Sequence, residues 1–222
     1  MTQNPYIDIH THTPTNNLDI KSIINWDETE FGHFENSKQI LSLGLHPWNI
    51  SKVNLEFTLD KIEEYSSYSK ILAIGEIGLD RFAAVDMKIQ KKIFTTQLQI
   101  ANQVKKPVII HCVRSFPELL RIRKEQKTSI PWIIHGYRNN EQIANSLLRS
   151  RCYLSFGKAL LEQEKVQFIF QNIPDHQYFL ETDDSTLNII EIYQKAASLK
   201  NRSVNAIKQC IQINYHNCFK LL

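Results

Sequence analysis

Six residues of this chain carry side chains suited to divalent metal ions: His10, His12, Glu76, His111, His135 and Asp183. The tightest local signal is Asp8-Ile9-His10-Thr11-His12. In an extended strand, residues two apart point to the same face, so His10 and His12 can reach one ion. Such a pair alone is weak evidence, and the positions of the other four strengthen it. Glu76 closes the apolar run Ile71–Glu76, His111 closes Val108–His111, His135 closes Trp132–His135, and Asp183 follows Tyr178–Leu180. Taken singly, each reads as a satisfied core or loop residue. Five strands ending in ligand-type side chains are harder to explain that way, because an uncompensated buried polar group costs stability. Four histidines and two carboxylates, with no cysteine, suit Zn²⁺, Mn²⁺ or Mg²⁺ in a hydrolytic site better than a structural zinc.

The elements that must position these residues are short apolar runs separated by helical segments. The runs are Tyr6–His10, Ile20–Trp26, Ile40–His46, Ile71–Glu76, Val108–Cys112, Trp132–His135, Cys152–Phe156 and Tyr178–Glu181. Several lack strict alternation, as strands buried on both faces do. Between them, Asp86–Val104 is the clearest helix, with Ile89, Ile93, Phe94, Leu98, Ile100 and Ala101 at helical spacing. Lys105-Lys106-Pro107 ends it. Ser115–Gln126, Asn140–Arg149, Glu162–Gln171, Leu187–Leu199 and a segment from about Val204 to Phe219 read as further helices, the last with Ser203 as N-cap. Alternating strand and helix predicts a parallel sheet with right-handed crossovers, and eight strands predict a (β/α)₈ TIM-type barrel. Thr13 to Ile40 is too short for two full crossover helices, so helices near the first two strands are expected to be short or missing. No repeat or linker breaks the chain, and residues 1–222 read as a single domain.

Composition excludes several classes. With 42% hydrophobic and 22% charged residues, wholesale disorder is not expected. A formal charge of +3 is far from that of a dedicated nucleic-acid binder, so a nucleic-acid substrate is expected to be held transiently. Cys112, Cys152, Cys210 and Cys218 include no CxxC pair, and Cys112 and Cys152 read as small core residues. The N-terminus shows no leader pattern and no stretch reaches about 18 apolar residues, so the expected location is cytoplasmic, away from the membrane. No protein partner is inferable.

Taken in order, the motifs DIHTH at 8–12, GLHP at 44–47, GEIGLD at 75–80, PVIIHCVR at 107–114, IHG at 134–136 and ETD at 181–183 resemble those of the TatD-type DNases. The segment Gln90-Lys91-Lys92-Ile93-Phe94 with Gln97-Leu98, and Asn217-Cys218-Phe219-Lys220-Leu221 near the C-terminus, are similar to the same family. The resemblance implies a metal-dependent hydrolase, with phosphodiester cleavage in DNA the usual assignment, and the leading expectation is a phosphodiesterase of the 3′-end deoxyribonuclease kind. Carried over by position, it implies that His10 and His12 bind one ion, that His111 and His135 bind another, and that Glu76 bridges the two. Asp183 then binds the first ion and accepts a proton from the attacking water, which with Glu76 makes the catalytic pair. Two readings are open for Arg114, a fork on a phosphate oxygen or a salt bridge with a nearby acid. His46 is expected to touch substrate, with loop anchoring as the other reading. Tyr137 and Arg138 are placed along the pocket, and Asp80 as a tether for the loop after Glu76.

Two departures from the family's pattern bear on substrate. The segment before GLHP is cut back, and after ETD the chain passes through Asp184-Ser185-Thr186 straight into Leu187–Leu199. The rim is therefore reduced. An ester- or amide-cleaving enzyme acting on a small molecule or aminoacyl-tRNA is the first rival reading. A non-catalytic binding protein that kept the fold is the second.

Overall fold

Runs of β-branched and other apolar residues bounded by polar turns leave the chain little choice but to pair as buried strands. The computed structural model describes residues 4–26, 39–126 and 128–219. Its strands are β1 (Tyr6–Thr11), β2 (Ile20–Asn25), β3 (Leu41–Leu43), β4 (Ile71–Asp80), β5 (Val108–Val113), β6 (Trp132–Ile134), β7 (Cys152–Phe156) and β8 (Tyr178–Leu180). They follow one another in chain order in a single sheet. Past its last residue, the β8 segment bridges back to β1 in parallel through Thr11 and Asp183. Parallel strands in sequence order, returning to the first, make the (β/α)₈ barrel class expected from the sequence.

Helices fill the connections after β3: α1 (Leu55–Ser66), α2 (Met87–Gln103), α3 (Phe116–Glu125), α4 (Glu141–Arg149), α5 (Ala159–Glu162), α6 (Glu164–Asn172), α7 (Ile189–Lys200) and α8 (Val204–Phe219). Residues 12–19, between β1 and β2, hold no helix. Residues 27–38, the other place where helices were expected to be cut back, lie outside the described residues, as do Lys220 and Leu221 of the closing segment. None of the described helices is long and apolar enough to cross a membrane.

The chain divides into two compact units, Met1–Ile23 with Ile134–Leu222, and Ile24–Ile133. In the second, β3, β4 and β5 pair in parallel, and the register of β4 shifts against both neighbours. Between Ile74 and Ile77 it advances one residue more than β5 does from Val108 to Ile110, a bulge at Gly75-Glu76. Helix α2 covers these strands. Asp86 caps it by accepting from the Lys88 N–H, and Ile93, Phe94, Leu98, Ile100 and Ala101 are buried. Truncating Leu98 to alanine would cost about 2–5 kcal/mol, as for other fully buried leucines. Ile89, expected on the same stripe, is exposed, while Gln90 and Gln97 turn inward.

In the first unit β7 and β8 pair from Leu154↔Tyr178 to Phe156↔Leu180. The phenol of Tyr193 on α7 both donates to the carbonyl of Ile7 and accepts from its N–H, each at 3.0 Å, tying α7 to β1. Helix α8 keeps its expected bounds, and the Ser203 hydroxyl accepts from the Ala206 N–H at 3.2 Å.

Three local readings change. The single helix expected at Glu162–Gln171 is two, broken at Gln163, whose backbone is extended. Helix α1 was not anticipated because two of its four buried residues, Thr58 and Ser66, are polar, so no apolar stripe shows. Strand β4 does not stop at Glu76 but runs on through Gly78 to Asp80.

Candidate metal centre

Gln90 and Gln97 lie seven residues apart on α2, two turns along one face, and reach into the strand ends that carry ligand-type residues. Gln97 accepts from the Leu45 N–H at 2.6 Å and donates to the Leu45 carbonyl at 3.2 Å, pinning the backbone beside His46. Gln90 accepts from the Asp80 N–H at 2.9 Å and donates to the carbonyls of Asp80 and Val85 at 3.0 and 2.7 Å. Amides that mimic a missing strand partner satisfy the ladder ends where β3 and β4 run out of neighbours. Helix packing thus becomes side-chain placement.

In the Ile24–Ile133 unit these constraints gather His46, Glu76, His111 and Asp80. Glu76 stands on the bulge, its N–H given to the Asn25 side chain at 2.8 Å. Glu76 Oε1 lies 2.8 Å from His111 Nδ1 and 3.4 Å from His46 Nε2. The other nitrogen of His111, Nε2, lies 2.9 Å from Asp80 Oδ2. His46 Nδ1 accepts from the Trp48 N–H at 3.2 Å, which turns Nε2 toward Glu76. Burial pushes the Asp80 carboxyl up, but hydrogen bonds from His111, the Phe82 N–H and the Trp48 indole outweigh it and hold the group below the usual carboxylate range. Asp80 therefore stays an anion. One donor atom each from His46, Glu76 and His111 lie within 4.8 Å of one another.

The other unit gathers His10, His12, His135 and Asp183. Asp183 donates its N–H to the His10 carbonyl and accepts from the His12 N–H, both at 3.0 Å. That fixes a left-handed backbone (φ 56°), a conformation aspartate tolerates better than most residues. Its Oδ1 lies 3.4 Å from His10 Nε2 and 3.6 Å from His12 Nε2, and Oδ2 lies 4.0 Å from His135 Nδ1. Donor atoms of His10, His135 and Asp183 again fall within 4.8 Å of one another. Asp8, two residues before His10, is buried under Thr182, whose N–H and hydroxyl reach it at 3.0 and 2.6 Å. Burial raises the Asp8 carboxyl to about 7. Glu181 is fully buried, accepts from the Gly136 N–H, and lies 3.6 Å from His135 Nδ1.

Both clusters fit a divalent ion. Each offers imidazole nitrogen and carboxylate oxygen without thiolate, the donor chemistry of hydrolytic rather than structural sites. Asp80 occupies Nε2 of His111, leaving Nδ1, on the Glu76 side, as the ligating nitrogen. A carboxylate behind a ligating histidine is the usual device for fixing its tautomer and orientation. When bound, such an ion supplies Lewis acidity toward substrate and water.

The remaining expected residues fall as follows. His46, expected against substrate, lies with Glu76 and His111 as a candidate ligand. Arg114 has its guanidinium 4.8 Å from the centre of the Phe82 ring. The acid nearby, Glu118, is paired with Arg81 instead. Tyr137 is 1% exposed and donates its hydroxyl to the Asn140 carbonyl at 2.6 Å, so it has no surface to offer a substrate. Arg138 is exposed. All four cysteines are free, and Cys152 and Cys218 are buried. Sequence reasoning quoted Glu181, Gln90 and Gln97 within motifs but gave them no role. Their signal is a polar residue at a position the helical or strand pattern assigns to the core.

Residues 28–220 match the sequence pattern of the family described as TatD related DNase. The chain is similar to the uncharacterized metal-dependent hydrolase YabD of Bacillus subtilis, 31% identical over 146 residues that cover 64% of this chain and 57% of YabD. It thus spans less than two thirds of that relative's length. YcfH of Escherichia coli K12, also an uncharacterized metal-dependent hydrolase, is 24% identical over 84% of this chain and 76% of its own. Among solved structures, the TatD homologue YjjV of Escherichia coli superposes with a TM-score of 0.85 over 98% of both chains at 21% identity, which speaks for the fold alone.

Proposed function

The chain belongs to the TatD-related DNase family, and from this premise we propose that it is a metal-dependent hydrolase that cleaves phosphodiester bonds in DNA from a 3′ end. Two divalent ions, Zn²⁺, Mn²⁺ or Mg²⁺, serve the reaction. The observation that carries the reading is the donor set itself: His10, His135 and Asp183 in one cluster, His46, Glu76 and His111 in the other, each within ligating reach. His12 supplements the first, and Glu76 is the ligand the family resemblance makes common to both ions.

The protein's own residues then divide the work. Asp183, a third exposed and held by backbone bonds on both sides, accepts the proton of the attacking water. Asp80 holds His111 in one tautomer, while Glu181 lies 3.6 Å from His135 Nδ1, the ring nitrogen that also faces Asp183. Arg114 presents the edge of its guanidinium to a phosphate oxygen, which its stacked position leaves open.

Elemental analysis of wild type and Glu76→Ala, paired with hydrolysis of single-stranded DNA, tests this. Nearly two metals per chain, lost together with activity in Glu76→Ala, is the expected result. Metal-loaded protein that leaves DNA and RNA uncut, with His10→Ala behaving identically, ends the proposal. The short connection from Asp183 into α7 favours a second reading, hydrolysis of an ester or amide in a small molecule or aminoacyl-tRNA. The slope of activity against salt separates them, because contacts to many phosphates make binding strongly salt-dependent.

A further inference from the structure

Beside the His111 cluster two large aromatic side chains stand open to solvent, and one carboxylate holds the indole of Trp48 and the backbone of Phe82. Asp80 Oδ2 accepts the Trp48 indole N–H at 2.7 Å, and Oδ1 accepts the Phe82 backbone N–H at 2.7 Å. Trp48 is nonetheless 53% exposed and Phe82 65% exposed. Exposed apolar rings are ordinary when scattered, but the Trp48 indole and the Phe82 backbone N–H both bond the carboxylate that also contacts His111. Arg114 lies over the Phe82 ring at 4.8 Å, and its carbonyl accepts from Arg81 Nε at 2.9 Å, so the turn that carries it is held in place.

We propose that Trp48 and the Phe82–Arg114 pair form a stacking site for an unpaired nucleobase of single-stranded DNA, next to the phosphate that the His111 cluster addresses. The inference rests on the phosphodiesterase reading above and deepens it. Flat aromatic faces stack any base, and a cation lying on one of them adds attraction toward the flanking phosphate. A base paired within a duplex hides its faces, so the site selects single strands and frayed ends. The tether through Asp80 gives the arrangement a purpose: the carboxylate that orients His111 also sets where the base sits relative to the reacting phosphate. A patch built for a protein partner would need no such link to the ligand cluster.

The test measures binding of a short fluorescent oligothymidylate, carrying phosphorothioate linkages to slow cleavage, to manganese-loaded protein. An abasic strand of equal length is the control. Wild type is expected to bind the thymidylate about tenfold more tightly than the abasic strand. Trp48→Ala and Phe82→Leu should each lower thymidylate binding about tenfold relative to abasic binding. Trp48→Phe, which keeps a ring but loses the indole N–H, should fall within a few-fold of wild type. The proposal is overturned if both truncated variants bind thymidylate as wild type does, or if binding to both strands falls together. A protein that discriminates the two strands yet cuts no phosphodiester would uphold the site and refute the phosphodiesterase reading.

Discussion

His111 Nε2 lies 2.9 Å from Asp80 Oδ2, so the imidazole that faces Glu76 through its other nitrogen is held from behind by a buried carboxylate. Asp80 is itself fixed by Trp48, Phe82 and Gln90. An ordered chain of contacts therefore runs from helix α2 to a candidate ligand. Rigid support of this kind is what separates a metal site from a coincidental cluster of polar groups.

Asp80→Asn is expected to lower divalent-metal affinity about 10–100-fold, the usual effect of losing an outer-shell carboxylate. Asparagine keeps an oxygen for the Phe82 N–H, so the fold should persist. Calorimetric titration with Mn²⁺ measures this, and unchanged affinity would reduce Asp80 to a loop tether.

Asp183→Asn removes the proton acceptor while leaving one ligating oxygen. At saturating metal, kcat should fall roughly 10²–10⁴-fold with KM little altered. Single-turnover hydrolysis reads the step directly. A fall in KM effect alone, with kcat intact, would take the proton from Asp183 and give it to another group.

Removing metal should destabilise the protein. Asp183, Glu76 and Asp80 bring negative charge close to the candidate ligand histidines, and an ion that binds only the folded state at 100 times its Kd adds about 2.7 kcal/mol. For a chain of this size that corresponds to a rise of about 5–10 °C in Tm, reversed by chelation. Melting curves with EDTA, Zn²⁺, Mn²⁺ and Mg²⁺ would rank the ions. A Tm indifferent to all of them contradicts the site.

Gly78→Ala should be among the most damaging small substitutions in the chain. A Cβ there would meet the backbone carbonyl oxygen of His111 at 1.9 Å, and strand pairing leaves neither partner room to move. Loss of about 4 kcal/mol or more is expected, seen as insolubility or a collapsed urea midpoint. Near-normal stability would show that β4 and β5 can separate without cost.

Lys106 predicts a pH dependence. Half-burial holds its amine down to about 8, from 10.5 for the free side chain, where it donates to the carbonyls of Ser66 and Tyr68. Between those values the unfolded chain keeps a proton that the folded one has shed. The Lys106 contribution to stability therefore rises with pH across that window and is lost as pH falls through about 8. Urea denaturation of wild type against Lys106→Met in EDTA should show a gap that widens from pH 8 to 10.5. A gap independent of pH would mean the ammonium is fully accommodated by its two carbonyls.

The sequence by itself determined the strand order, most helices and the identity of the ligand-type residues. Those features are written locally: apolar runs specify buried strands, the stripe of Ile93, Phe94 and Leu98 specifies α2, and His10, His111 and Asp183 stand at or just beyond the ends of such runs. Only the tertiary structure decided which of these residues meet. The apolar run ends at Glu76 with a loop expected after it, yet β4 continues, because pairing Gly78 with His111 satisfies both backbones and leaves Asp80 beside the His111 ring. His46 joins Glu76, rather than standing apart as a substrate contact, because Gln97 reaches over from α2 to clamp Leu45. Tyr137 follows a candidate ligand in the chain but turns into the core against Phe156. Such outcomes depend on strand register and on the reach of side chains from distant helices, which no local pattern encodes. Spacing along a strand settles which face a residue shares with its own neighbours; packing alone settles what waits on the other side.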